Sequence, residues 1–253
     1  MRIDKDTVAI ITGASAGIGR ATATTLARQG ARLTLIARNE EALSDAVADA
    51  LVQGATDAFY QVCDIRDEAQ VEAAVAATLK RYQWIDVLIN NAGLSLNGGV
   101  DGYPLDDWRT VIDTNLTGTF LFSRAVLPAM KNQGSGQIIN VSSGAGRNGI
   151  KDMAAYCAAK FGVIGFTESL GLEVRGNNIR VSVLLPGSVA TGFSQTARRE
   201  NKSEEQEPTK IGYAMVPDEV ADVIVAMLEQ PDQAWMSEVI LRPLNLGLQR
   251  TLG

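Results

Sequence analysis

Thr12-Gly13-Ala14-Ser15-Ala16-Gly17-Ile18-Gly19 is the stretch on which the reading of the fold depends. It follows the β-rich run Val8-Ala9-Ile10-Ile11 and leads directly into a helical pattern. Glycine lets the backbone turn sharply and come close to a pyrophosphate, while the following helix N-terminus offers unpaired N–H donors and a favourable dipole. The spacing alone also fits a tight strand–helix turn with incidental glycines. Its place after the first strand and before a helix is the context that a dinucleotide site requires. No Gly-Lys-Ser/Thr ending is present, which disfavours a P-loop nucleotide hydrolase.

Outward from this turn, short β-rich runs alternate with longer helical ones. Val8–Thr12, Arg32–Ala37, Ala58–Val62, Val87–Asn90, Gln137–Val141, Arg180–Leu185 and Glu238–Leu241 read as strands. Several are nearly continuous apolar runs, as expected where both faces of a strand are covered. Gly17–Gln29, Glu40–Leu51, Asp67–Tyr82, Leu105–Lys131, Asp152–Arg175 and Pro217–Glu229 read as helices. The alternation predicts an α/β fold, a doubly wound parallel sheet of about seven strands with helices on both faces. The 253 residues contain no repeat or linker that divides them, so 1–253 reads as one domain. Gly187–Val216 is a long connection carrying the charge cluster Arg198–Glu207. Connections of this length are substrate lids or solvated excursions, and a lid is expected here.

The end of the second strand selects between dinucleotides. A site for NAD places an acidic side chain there, on the ribose 2′-OH. This chain has Ala37-Arg38-Asn39, and a guanidinium pairs with a 2′-phosphate that a carboxylate would repel. NADP(H) is the expected cofactor; the alternative is a surface arginine capping the next helix.

Composition narrows the chemistry. There is no histidine, which removes imidazole bases, Ser-His-Asp and Cys-His hydrolysis, and His-ligated metals. Cys63 and Cys157 cannot build a cysteine-rich zinc site, so no metal is expected. The formal net charge of −6 argues against a broad nucleic-acid surface. The polar start Met1–Asp6 does not read as a signal peptide, and no apolar run reaches membrane-spanning length. A cytoplasmic protein with no membrane partner is expected, and the glycosylation patterns at Asn115 and Asn140 read as coincidental.

Four further patterns occur in order: Asn90-Asn91-Ala92-Gly93, Asn115 within a helical run, Ser142-Ser143 after the fifth strand, and Tyr156-x-x-x-Lys160. Together with Thr12–Gly19 they make the chain resemble the short-chain dehydrogenase/reductase family over essentially its whole length. The resemblance implies the Rossmann fold and hydride transfer between a nicotinamide and a carbonyl or alcohol substrate. It implies Tyr156 as the acid/base and Lys160 as the group that lowers its pKa and bonds the nicotinamide ribose. Ser143, at the family's spacing to the tyrosine, would bond the substrate oxygen, and Asn115 would hold a water linking Lys160 to a proton relay. For the cofactor it implies Gly13, Ser15, Gly17, Ile18 and Gly19 around the pyrophosphate and Asp64 and Asn91 on the adenosine side. Pro186, Gly187 and Thr191 would border the nicotinamide.

The residues support this chemistry independently. Carbonyl reduction needs a hydride donor and an acid for the developing alkoxide. With no histidine, tyrosine is a plausible acid, but its free pKa of about 10 is high for work near neutrality. Lys160 lies one helical turn on, so both side chains can share a face. A cation about 4 Å away at effective dielectric 20 contributes roughly 4 kcal/mol, or about 3 pKa units, in favour of the phenolate. Partial burial opposes it, and the pair is expected to work through the charge.

Cys157 reads as a packing residue, because helical neighbours point about 100° apart. Leu94, Leu96, Ile150, Met153 and Phe193 read as either an apolar substrate pocket or ordinary core. The helical runs Met153–Glu173 and Leu105–Lys131 are apolar around much of their circumference, which predicts a homo-oligomer, a tetramer or a dimer. A non-catalytic dinucleotide sensor on the same fold is the rival, and a sensor has no need of Asn115, Ser143, Tyr156 and Lys160 together. The ending Val239–Leu244 departs from the Asp-Gly-Gly common in 3-oxoacyl-carrier-protein reductases and is closer to reductases of short hydroxy acids or aldehydes.

Overall fold

A computed structural model describes residues 2–193, 214–231 and 233–244. In chain order the elements are β1 (Val8–Thr12), α1 (Gly17–Ala27), β2 (Arg32–Ala37), α2 (Glu40–Gln53), β3 (Asp57–Val62), α3 (Glu68–Tyr82) and β4 (Val87–Asn90). Then come α4 (Leu105–Ile112), a π-helical turn at Asp113–Thr117, α5 (Gly118–Gln133), β5 (Gly136–Val141), α6 (Ala154–Val174), β6 (Ile179–Pro186), α7 (Pro217–Leu228) and β7 (Glu238–Leu241). The seven strands form one sheet in the order β3-β2-β1-β4-β5-β6-β7. Every pairing is parallel.

Successive strand residues point to opposite faces, and both faces are packed. In β1, Ala9 and Ile11 join Leu33, Leu35, Leu26, Leu43 and Ile224 on one side, under α1, α2 and α7. Ile10 points the other way and joins Leu88, Ile138, Val75, Phe122 and Met130, under α3 and α5. All five β1 residues are buried, which explains the unbroken apolar run. The sheet turns back at β1, where β2 lies on one side and β4 on the other. In such sheets, ligands sit beyond the strand C-termini at this reversal.

Two helices depart from the sequence expectation. The run Leu105–Lys131 is broken into α4, the π turn and α5. Within that turn Asn115 Nδ2 donates to Val111 O at 2.9 Å and to Leu94 O at 2.7 Å, so the wide turn carries a side chain tied to a loop across the cleft. The helix expected from Asp152 begins at Ala154, because Asp152 adopts a left-handed φ of 62° that a helix cannot contain. The connection Gly187–Val216 is described at its two ends, where Val189 bridges Met215. Its centre, 194–213, including the charge cluster, lies outside the described residues.

Candidate active site

The first turn is built around its glycines. Gly13 has φ 66° and Gly17 φ 55°, both left-handed. Gly19 has ordinary backbone angles but no room: a Cβ there would lie 2.3 Å from Gly13 O and 2.6 Å from Asn91 Nδ2. The third glycine thus lets α1 sit directly against the loop. Ala16, which precedes α1, supplies no side-chain cap, so the first N–H groups of the helix face the cleft. The loop is braced from β4: Thr12 Oγ1 accepts from Asn91 N and Ala92 N, each at 3.0 Å, and Asn91 Nδ2 donates to Thr12 O at 3.0 Å.

A cleft of about 860 Å³ runs along the C-terminal ends of the strands from this turn to α6. Of the residues expected around a dinucleotide, Gly13, Ser15, Gly17, Ile18, Arg38, Asp64, Asn91, Pro186, Gly187 and Thr191 line it. Gly19 lies beneath the turn rather than in the wall. Arg38 is exposed at the mouth. It does not cap the next helix, since Asn39 does so by accepting from Ala42 N at 3.0 Å. Asp64 is likewise not a helix cap. Asp67 caps α3, and Arg66 forks onto both oxygens of Asp64 and holds its carboxyl below the usual carboxylate value.

At the far end of the cleft stand Ser143, Tyr156 and Lys160. Ser143 follows β5 with an extended backbone, and its Oγ accepts from Ala145 N at 3.2 Å. The Ser143 side chain stands beside Tyr156 and acts to lower its pKa. Ser142 also lines the cleft, but its hydroxyl donates to Lys160 O at 2.9 Å, which leaves Ser143 as the serine free to meet a substrate. Lys160 Nζ lies 5.6 Å from the Tyr156 ring centroid and donates to Val141 O at 3.0 Å. Asn115 stands behind the wall: its Oδ1 is buried with no partner, and a Cβ on Gly93 would fall 2.6 Å from that oxygen and 3.5 Å from Lys160 Nζ. Gly93 is therefore needed for space, its backbone lying close against both groups.

Burial outweighs charge at the pair. It pushes the Tyr156 phenol up to about 12, opposed by the Ser143 side chain. Burial also pulls the Lys160 ammonium down to about 8. In the unliganded protein the tyrosine is thus held as the neutral acid, and the lysine charge does not overcome desolvation. Sequence spacing gave no measure of how deeply the pair is buried.

The apolar wall beside Tyr156 contains Leu94, Ile150, Met153 and Phe193, with the Phe193 ring centroid 5.6 Å from that of Tyr156. Leu96, expected with them, is not in the wall; it packs nearby, and its carbonyl accepts from Tyr103 Oη at 2.6 Å. Cys157 is buried beside the tyrosine in the same cluster, as a packing residue. Sequence reasoning missed Cys63 and Ile65, whose place at the end of β3 was a usable signal, and Thr114 and Asn148, whose place depends on irregular turns.

The fold and this site define a dinucleotide-dependent oxidoreductase. The family model for short chain dehydrogenases matches residues 7–202, and the chain belongs to that family. A 3-oxoacyl-acyl-carrier-protein reductase of Synechocystis sp. is 35% identical over 91% of this chain and 92% of its own length. Levodione reductase of Leifsonia aquatica is 34% identical over 96% of this chain and 94% of its own. Among solved structures, an actinorhodin polyketide ketoreductase variant with NADPH superposes with a TM-score of 0.85 at 34% identity, covering 95% of this chain and 97% of that one.

Proposed function

We propose that the protein is an NADP(H)-dependent oxidoreductase that interconverts a carbonyl and an alcohol, with Tyr156 as the acid/base. The observation that carries this is the grouping of Ser143, Tyr156 and Lys160 beside an apolar wall, at the end of a cleft whose other end is a glycine cradle. When bound, NADP(H) supplies or accepts the hydride.

Gly13, Ser15, Gly17 and Ile18 would hold its pyrophosphate, with Gly19 letting α1 approach. Arg38 would pair the 2′-phosphate, Asp64 and Asn91 would border the adenosine, and Pro186, Gly187 and Thr191 the nicotinamide. Ser143 donates to the substrate oxygen, and Tyr156 gives that oxygen its proton. Lys160, anchored on Val141 O, would bond the nicotinamide ribose; it steadies the phenolate left behind and then gives up the proton that re-forms the Tyr156 phenol. Asn115 Oδ1 orients a water that returns a proton to Lys160. The relatives' names support a keto group on a 3-oxoacyl chain or a cyclic diketone ahead of the short hydroxy acids suggested by the C-terminal ending.

Kinetics with NADPH and NADH, on a panel of 3-oxoacyl thioesters, cyclic diketones and aldehydes, test this reading. Higher kcat/KM with NADPH is expected, and Tyr156→Phe should abolish turnover while NADPH still quenches protein fluorescence. Undiminished NADPH oxidation by Tyr156→Phe would leave the sensor reading in its place.

The chain works as one unit, in the cytoplasm and as a homotetramer. Support for the assembly comes from α5 and α6, which leave Phe120 and Phe161 more than 40% exposed and Leu172 at 68%. These exposed apolar side chains are the surface that another subunit would cover. Light scattering at micromolar concentration should give four times the chain mass; a lone chain overturns the assembly.

A further inference from the structure

Three consecutive residues at the end of β5 each hold α6. Val141 O accepts from Lys160 Nζ, and Ser142 Oγ donates to Lys160 O at 2.9 Å. Both of these contacts fall on one helical residue. The third lies two turns further along: Asn140 Nδ2 donates to Thr167 Oγ1 at 2.9 Å, and Thr167 Oγ1 in turn donates to Val163 O at 2.6 Å. Seven residues of helix put Thr167 about 10 Å from Lys160 along the axis, on the same face. Two contacts at one point allow a helix to pivot; a third at a distance removes that freedom.

Asn140 also reaches the other catalytic element. Its Oδ1 accepts from Asn90 Nδ2 at 2.9 Å, and the same amide lies 3.1 Å from Ser123 Oγ and 3.4 Å from Thr119 O on α5. Thr119 Oγ1 donates to Asn115 O at 2.9 Å, in the π turn. Asn140, Ser123, Thr119 and Thr167 are all buried, with Asn140 and Ser123 at 0% exposure. Such a network has no water to replace a lost partner, so each bond is made or left open.

We propose that Asn140 is a positioning residue: through Thr167 on one side and Asn90 on the other, it fixes the helix carrying Tyr156 and Lys160 against the turn carrying Asn115. The proposal rests on the reading of Tyr156 and Lys160 as the proton-transfer pair. Its chemical consequence is the placement of Tyr156 against Ser143, which follows β5 and does not belong to α6. If α6 pivots about Lys160, Tyr156, one turn along, shifts against Ser143 while the glycine cradle stays in place.

Thr167→Val keeps the shape of the side chain and removes the acceptor of the Asn140 amide; Thr167→Ser restores it. Purified full-length protein should show kcat for NADPH-dependent ketone reduction lowered about tenfold or more in Thr167→Val, since misplacement of reacting groups by about 1 Å costs up to about a hundredfold. The dissociation constant for NADPH, by fluorescence, should stay within about twofold. The pH profile of kcat should move by about half a unit or more, and Thr167→Ser should restore both rate and profile. Asn140→Ala should reproduce the effect; if it does not fold, the valine–serine pair still decides. A Thr167→Val protein with a lowered Tm but unaltered kcat and pH profile would overturn the proposal. Tyr156→Phe assayed beside it separates the two failures: full activity in that variant removes the underlying reading, whereas its inactivity with an unaffected Thr167→Val removes the positioning role alone.

Discussion

Ser143 shows how much of the site depends on one rotation of the backbone. Ser142 and Ser143 are adjacent and chemically identical, yet one is spent on Lys160 O and the other faces Tyr156. Removing a single preorganised donor to a developing oxyanion costs about 10²- to 10³-fold in rate. Ser143→Ala is therefore expected to lower kcat/KM by about that factor with folding unimpaired, as read by steady-state kinetics and near-UV circular dichroism. Ser142→Ala should behave differently, lowering Tm because Lys160 O loses its donor. The identities of these residues were legible in the sequence, since order and spacing brought them out. Their protonation was not: the charge of Lys160 can be read from its letter, whereas the burial that outweighs it exists only once Phe193, Ala155 and Val111 close around the pair.

At the level of elements, the parallel strands were readable because each is covered on both faces and so is written as an apolar run. The π turn was not, because Asp113–Thr117 has a composition that a plain helix would accept. What makes it wide is the pull of Asn115 on Leu94 O, a contact with a segment 21 residues away. The packing of α1 on the first turn was partly readable, as three glycines, but only the structure separates their reasons. Gly13 and Gly17 are needed for backbone angle; Gly19 is needed for space. Gly19→Ala places a methyl against a backbone carbonyl, which cannot rotate away, and overpacking of this kind costs about 1–3 kcal/mol. A drop in Tm together with loss of NADPH binding is the expected outcome; a variant that binds NADPH normally would show that α1 can slide outward.

For the whole molecule, the buried ionisable groups set an alkaline limit. Cys63 is pushed up from 9.0 to about 12 and Tyr156 from 10.0 to about 12, both by burial, and Tyr82 is raised as well. Groups whose pKa is raised on folding stabilise the protein fully below their unfolded values, and that contribution is lost as pH rises through the folded ones. Lys160 acts in the opposite sense: lowered from 10.5 to about 8, it makes stability rise with pH between those values. The two effects offset each other between pH 9 and 10.5, and above 10.5 only the loss remains, continuing to about 12. Far-UV circular dichroism across this range should show an unfolding midpoint above 10.5, moved upward by Cys63→Ala; an unmoved midpoint would mean that the thiol is not buried in solution.

The direction shared by all seven strands has a consequence for anyone who wishes to modify the protein. Chemistry is confined to one rim of the sheet, where the strands end, and the opposite rim only turns the chain around. At Gly176, between α6 and β6 on that second rim, a side chain would meet nothing within 4 Å. The molecule therefore has a working edge and a handle: reporters, tags or surface linkers belong at turns such as Gly176–Asn177, where the scaffold can be gripped without touching the cleft.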